Sequence, residues 1–193
     1  MEKFRALLVS KTGTGQHVGI TQLTDADLMD GDVTIAVSHS SVNYKDGLGI
    51  TGKSPIFRKY PLIPGVDLAG VVTQSAHKDY KIGDAVVLGG WGVGEGHHGG
   101  YAQVARVNGD WLVPLPSKFS AAEAMAIGVA GYTAMLCVMA LEEQGVNQNW
   151  SAPQTRAVVI PFWAWYLPSL SRYDVAQTSS AWRKMSWAIP SFG

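Results

Sequence analysis

Glycine stops at Gly145. Of the 22 glycines, 21 lie at or before that position, and the only later one is the last residue, Gly193. This limits what each part of the chain can fold into. Glycine supplies positive-φ turns and lets one stretch of backbone approach another. The first 145 residues can therefore build many tight turns. The rest has no means to form a glycine-rich loop that carries main-chain N–H groups to a pyrophosphate at a helix N-terminus.

A chain of 193 residues suggests one domain, or one and a fragment. With 47% hydrophobic residues, seven Trp and seven Tyr, it has ample material for a core. Fifteen basic and fifteen acidic residues cancel, and single-sign charge runs are absent. Nothing here points to nucleic acid or to an anionic membrane. Cys137 stands alone, so no internal disulfide forms, which fits a reducing compartment. The opening, Met1 to Val9, is too short an apolar run for a signal peptide and reads as a first strand. The longest late apolar run, Ala157 to Leu167, is interrupted by Pro161 and is about half the ~20 residues a bilayer requires. The expectation is a soluble cytoplasmic protein.

The first 115 residues read as short strands separated by glycine turns. Val33, Ile35 and Val37 alternate with Thr34, Ala36 and Ser38, the period of a half-buried strand. Val66 to Thr73, Asp84 to Leu88 and Gly99 to Val107 are further candidates. Turn signals fall at Asp30-Gly31, Pro64-Gly65, Lys81 to Asp84 and Asn108 to Asp110. Together these predict a compact barrel-like β domain. The pattern changes at Pro114-Leu115-Pro116. Ser120 and Glu123 have capping-box spacing, and helix formers follow as far as Glu142. Gly128 and Gly131 interrupt that run, which predicts two helices with a break. Gly145 is the expected stop.

Six segments carry the chemistry in order. They are Ser41 to Asp46, Pro61 to Gly70, Gly83 to Val86, Gly90 to Glu95, Gly99 to Ala102 and Gly128 to Met135. Each is weak alone. In this order the chain resembles the medium-chain dehydrogenase/reductase superfamily, and within it the zinc-free quinone oxidoreductase branch that includes acrylyl-CoA reductase. Residues Asn43 to Gly52, Gly90 to Glu95 and Thr133 to Glu142 favour that branch. The resemblance covers roughly residues 3 to 147.

The resemblance implies an α+β chain: a GroES-like β-barrel domain, then helices that normally lead into a Rossmann domain. It implies NADPH delivering hydride to an electron-poor double bond of a small enoyl-CoA, or to a quinone. For an enoyl thioester, hydride adds at the β-carbon and charge develops on the thioester oxygen, where a fixed donor lowers the barrier. The family places the Asn-Tyr pair beside the nicotinamide, here Asn43 and Tyr44. Tyr44 is expected to pack on or bond the cofactor, its alternative being a core aromatic. Asn43 is expected to orient substrate, its alternative being a turn former. Thr133 resembles a threonine near the cofactor, its alternative being a hydroxyl bonded back within its helix. Asp46 is expected to fix local structure rather than act as an acid. Lys53, Arg58 and Lys59 could meet CoA phosphates, but read more simply as a solvated loop.

Zinc-dependent members place a cysteine and a histidine where this chain has Asn43 and Val66. A valine has no donor atom and an amide is a poor zinc ligand, so no metal is expected. His97-His98 lies on an extended segment whose neighbouring side chains diverge, so the two would not readily share an ion.

From Trp150 the text differs in kind. Five of the seven Trp and only five charged residues fall there. Phe162, Trp163, Trp165 and Tyr166 stand where a dinucleotide-binding turn would need glycines. Residues 1–147 are therefore expected to form the family domain. Residues 148–193 are expected to be a non-family tail, disordered or aberrant, as a shifted reading frame would produce. The competing reading is a non-catalytic fragment or a dimer-forming module that does not bind NADPH.

Overall fold

The computed structural model describes residues 3–13 and 15–143, with side chains as far as 141. The expected tail, the Gly145 stop and the boundary at 147/148 lie outside these residues. The chain divides into two units between Met135 and Leu136, and everything that positions the candidate site belongs to the first.

Two antiparallel sheets form that unit. Strands β1 (Phe4–Thr12) and β2 (Gly15–Leu23) make a hairpin in continuous register from Phe4↔Leu23 to Thr12↔Gly15. The second sheet contains β3 (Val33–His39), β4 (Asp67–Ser75), β5 (Ala85–Gly89), β6 (Val104–Val107) and β7 (Val113–Pro114), in the order β6-β3-β4-β5-β7. Bridges Ala6↔Ala102 and Val9↔Leu62 join the hairpin to the loops of the larger sheet.

The alternation expected at Val33 and Ile35 does not hold, because Thr34 between them is buried as well and Val37 only partly. Val33 and Ile35 are both fully buried, with Leu68, Val72, Val86, Leu88, Val93 and Val107 around them. Burial of each such side chain stabilises the fold by about 1.5–3 kcal/mol. Phe4, Ala6, Leu28 and Ile63 form a second cluster beneath the hairpin. The hairpin's second strand carries no apolar alternation. Gly15, Gln16, His17 and Gly19 dilute it, and sequence periodicity passes over it.

The strand expected over Gly99 to Val107 is shorter than its text. Only Val104–Val107 is strand. The amides of Gly99, Gly100 and Tyr101 donate instead to the carbonyls of Ile63, Gly65 and Pro64, at 2.7, 3.0 and 3.0 Å. A Cβ on Gly99 would lie 2.2 Å from the Gly65 carbonyl oxygen, so here main chain crosses main chain.

Two α-helices follow from local signals. Helix α1 (Tyr44–Ile50) starts at Asn43, whose amide donates to the Asp46 carboxylate at 3.0 Å. It ends at Thr51, before Gly52 at φ +68°. Helix α2 (Ala121–Glu143) opens on the expected capping box: the Ser120 amide donates to Glu123 at 2.9 Å, and the Glu123 amide to the Ser120 hydroxyl at 3.2 Å. The expected break falls at Gly128, at φ +53° and ψ −168°, while Gly131 stays helical. Over Ala121–Leu141, α2 is long and apolar enough to cross a membrane, a stretch the sequence reading passed over. Its kink is fastened to a buried carboxylate of the β domain, as described next.

Candidate active site

Strand β3 ends at His39, and the chain turns through Ser40 to Asn43 over the start of β4. The turn is held by Asp67, the first residue of β4, which is fully buried. One carboxylate oxygen, Oδ1, accepts the Ser41 amide at 2.9 Å. The other accepts the Ser41 hydroxyl at 2.6 Å, the Asn43 side-chain amide at 3.2 Å and the Val129 main-chain amide at 3.1 Å. The Asp67 carbonyl also accepts the Ser40 hydroxyl at 2.7 Å. Val129 is the residue after the kink. Asp67 thus gathers donors from the turn before α1 and from the first amide of the helix that carries Thr133. Four N–H and O–H donors converge on this buried carboxylate, one on Oδ1 and three on Oδ2, as a buried polar group requires.

Asn43 is committed by this arrangement. Its Nδ2 donates to the Ser41 hydroxyl and to Asp67, both at 3.2 Å. A carboxylate only accepts, so the amide orientation is fixed with nitrogen inward. Its main chain closes the α1 capping box.

Asp46 lies beneath the same turn and is 1% exposed. Its Oδ2 accepts the Asn43 amide and the Tyr101 hydroxyl, which also faces the Ser41 carbonyl at 3.1 Å. Among the described residues its Oδ1 is buried without a hydrogen-bond partner. Burial raises the Asp46 carboxyl above its ordinary value, the bonds from Asn43 and Tyr101 pull the other way, and the Asp67 charge adds to the rise. Burial and the neighbouring Asp46 likewise push the Tyr101 phenol up. The expectation that Asp46 fixes local structure agrees with these bonds.

Tyr44, the first residue of α1, is 54% exposed, which excludes the core-aromatic reading. Thr133 donates its hydroxyl to the Val129 carbonyl at 2.8 Å, the back-bond within its own helix. The residue is exposed.

Lys45 pairs with Glu95, and Arg58 reaches the same carboxylate at 3.4 Å. This ties α1 to the Gly90 to Glu95 loop. Lys53, Arg58 and Lys59 are exposed, as a solvated loop would be. Val66 is buried in the core, and among the described residues no group of three His, Cys, Asp or Glu could hold a metal. The two loop histidines have separate partners. His98 is buried, accepts the Ile63 amide at 3.2 Å and faces the Asp27 carbonyl at 3.2 Å, and burial lowers its pKa. His97 faces the nearby Asp30 carbonyl at 3.0 Å and lies edge-on to Trp111.

Sequence reasoning missed Asp67, Ser41 and the Val129 amide as a unit. A signal was present: an acid between Val66 and Leu68 in an apolar strand must be paired.

Residues 29–117 match the alcohol dehydrogenase GroES-like domain. Through this domain the chain belongs to the medium-chain dehydrogenase/reductase superfamily. Within it, the chain is similar to the acrylyl-CoA reductase AcuI of Ruegeria pomeroyi, with 53% identity over 147 residues, 75% of this chain and 44% of that protein. The solved yhdH oxidoreductase of Salmonella enterica in complex with NADP is 50% identical over 74% of this chain and 44% of that one, with a TM-score of 0.72. The yhfP protein of Bacillus subtilis, solved with NAD bound, is 40% identical over 77% of this chain and 45% of its own, with a TM-score of 0.73. The chain therefore spans a little under half the length of the relatives it matches.

Proposed function

We propose that residues 1–147 form the substrate-side domain of a zinc-independent NADPH oxidoreductase of the quinone oxidoreductase type. The substrate is an activated C=C bond, acrylyl-CoA giving propionyl-CoA, or a quinone. The observation that carries this reading is Tyr44, exposed at the head of α1 on a turn that Asp67 fastens to the helix bearing Thr133. NADPH, when bound, supplies the hydride. Tyr44 offers the nicotinamide a ring face and a hydroxyl, and Thr133 an oxygen. Asn43, with its nitrogen turned to Asp67, acts by shaping the turn that presents Tyr44. With Asn43 and Val66 at the family's zinc positions, the thioester oxygen is polarised by hydrogen bonds rather than by a metal. The setting proposed is cytoplasmic.

A second reading has its own observation. Among residues 146–193 only Gly193 lacks a side chain, so this stretch offers no glycine-rich phosphate turn. On this reading the chain by itself does not hold NADPH and is a non-catalytic fragment or a dimer-forming module. Titration followed by nicotinamide fluorescence separates the two. The fragment reading requires no binding tighter than about 100 μM, roughly −5.5 kcal/mol. Tighter binding, with NADPH oxidation on adding acrylyl-CoA or a quinone, would discard the fragment reading.

A further inference from the structure

We propose that Asp67 is a positioning residue that makes the two sides of the candidate site one mechanical unit. It would hold the turn presenting Tyr44 and the helix presenting Thr133 at a fixed spacing. This rests on the reading that Tyr44 and Thr133 face a nicotinamide.

The argument starts from chain topology. Tyr44 follows β3, whereas Thr133 lies on α2, 89 positions later. Among the described residues, Ser41, Asn43 and Val129 donate to the same buried carboxylate from both stretches. The Val129 amide is the first after the kink, so it has no acceptor one turn back in a continuous helix. Asp67 supplies that acceptor and meets the positive end of the following helical segment. Gly128 permits the approach: a Cβ there would lie 2.7 Å from the Ser41 hydroxyl and 3.0 Å from Asp67 Oδ2. Thr133 then bonds back to the Val129 carbonyl, so the fixed residue and the cofactor-facing hydroxyl share one turn. Hydride transfer is sensitive to placement at the ångström scale, and a shared anchor removes one source of drift between the two contacts.

The test uses the full chain and amide hydrogen exchange read by NMR. Asp67→Leu removes both acceptors while keeping the same heavy-atom branching. Exchange at Val129 and at Ser41 is expected to rise at least tenfold relative to β4 amides of the same variant. Asp84→Asn, which alters only a surface turn at Lys81, is the control and should leave both unchanged. Because Asp67→Leu takes the carboxylate away from four donors and could fail to fold, Ser41→Ala is the second variant. It removes the 2.6 Å bond but leaves Asp67 in place. Val129 exchange is then expected to rise at least threefold, and the Thr133 amide resonance to move. Val129 protection and Thr133 shift both unchanged in Ser41→Ala would overturn the proposal.

Turnover provides the readout that a merely structural anchor would not move. With NADPH and acrylyl-CoA, Ser41→Ala should lower kcat at least fivefold and keep KM within twofold. A raised KM with unchanged kcat would overturn the positioning role. A parent chain with no turnover would count against the reductase reading, while the exchange measurements still decide the tie between the two segments.

Discussion

Replacing Gly128 by alanine should be among the costliest single-methyl additions to this chain. Two effects add. At φ +53° and ψ −168° the residue occupies a region open almost solely to glycine, and an L side chain there costs about 1–3 kcal/mol. The new Cβ would also come within 2.7 Å of the Ser41 hydroxyl. That hydroxyl cannot retreat without giving up its 2.6 Å bond to Asp67, a charged-acceptor bond of about 1.5–3 kcal/mol. Alanine returns about 0.4–1 kcal/mol by restricting the unfolded chain. The net loss is roughly 2–5 kcal/mol, a large part of the ~5–15 kcal/mol that holds a typical domain. Urea unfolding followed by far-ultraviolet circular dichroism measures it. Gly131→Ala is the control on the same helix. It gains about 1 kcal/mol of helix propensity, offset because Ile127 Cγ2 lies 2.9 Å from the new methyl. It should fall within about 1 kcal/mol of the parent. A Gly128→Ala chain equally close to the parent would refute the reasoning, since neither the strain nor the crowding would then be present.

Three further outcomes are expected. Tyr44→Ala should change stability by only about 0.5 kcal/mol, because the ring is largely exposed; a thermal melt displaced as far as for a core deletion would return Tyr44 to a packing role. Ser120→Ala should cost about 1 kcal/mol in the same urea assay by opening the α2 capping box, and no loss would mean that Glu123 caps alone. Burial depresses the His98 pKa, so below its ordinary value of 6.5 the unfolded chain takes up a proton that the folded chain resists. Stability from this group is therefore full above pH 6.5 and falls as pH drops from there towards the folded value. His98→Asn, which keeps an acceptor for the Ile63 amide, should flatten that fall between urea midpoints at pH 7.5 and 5.5; an unaltered slope would assign it to other groups.

Apolar runs between turn signals located β3, β4 and β5 because these strands carry the buried core of the larger sheet. They missed β2, whose register comes from pairing with β1 rather than from an apolar face of its own. The break at Gly128 could be read from glycine in a helical run. Its partner could not, because Asp67 is 61 positions earlier and no local rule pairs them. The same limit applies at Asn43. Its type suits a cap and a substrate contact equally, and only the inward bonds to Ser41 and Asp67 show where its nitrogen points. Tyr44 was placed by motif, and its exposure is a property of the folded surface that the motif does not carry.

The crossing of Gly99 over Gly65 has a consequence for how such a chain can drift. Where two side chains touch, one can shrink as the other grows, and volume is traded between them. At a point where peptide rests directly on peptide there is nothing to trade. No second substitution can make room for a first, so each position is closed from the outset and neither can lead. Divergence has to flow around such a pin, into the hairpin faces and surface loops, and leave it standing in any descendant that keeps this crossing.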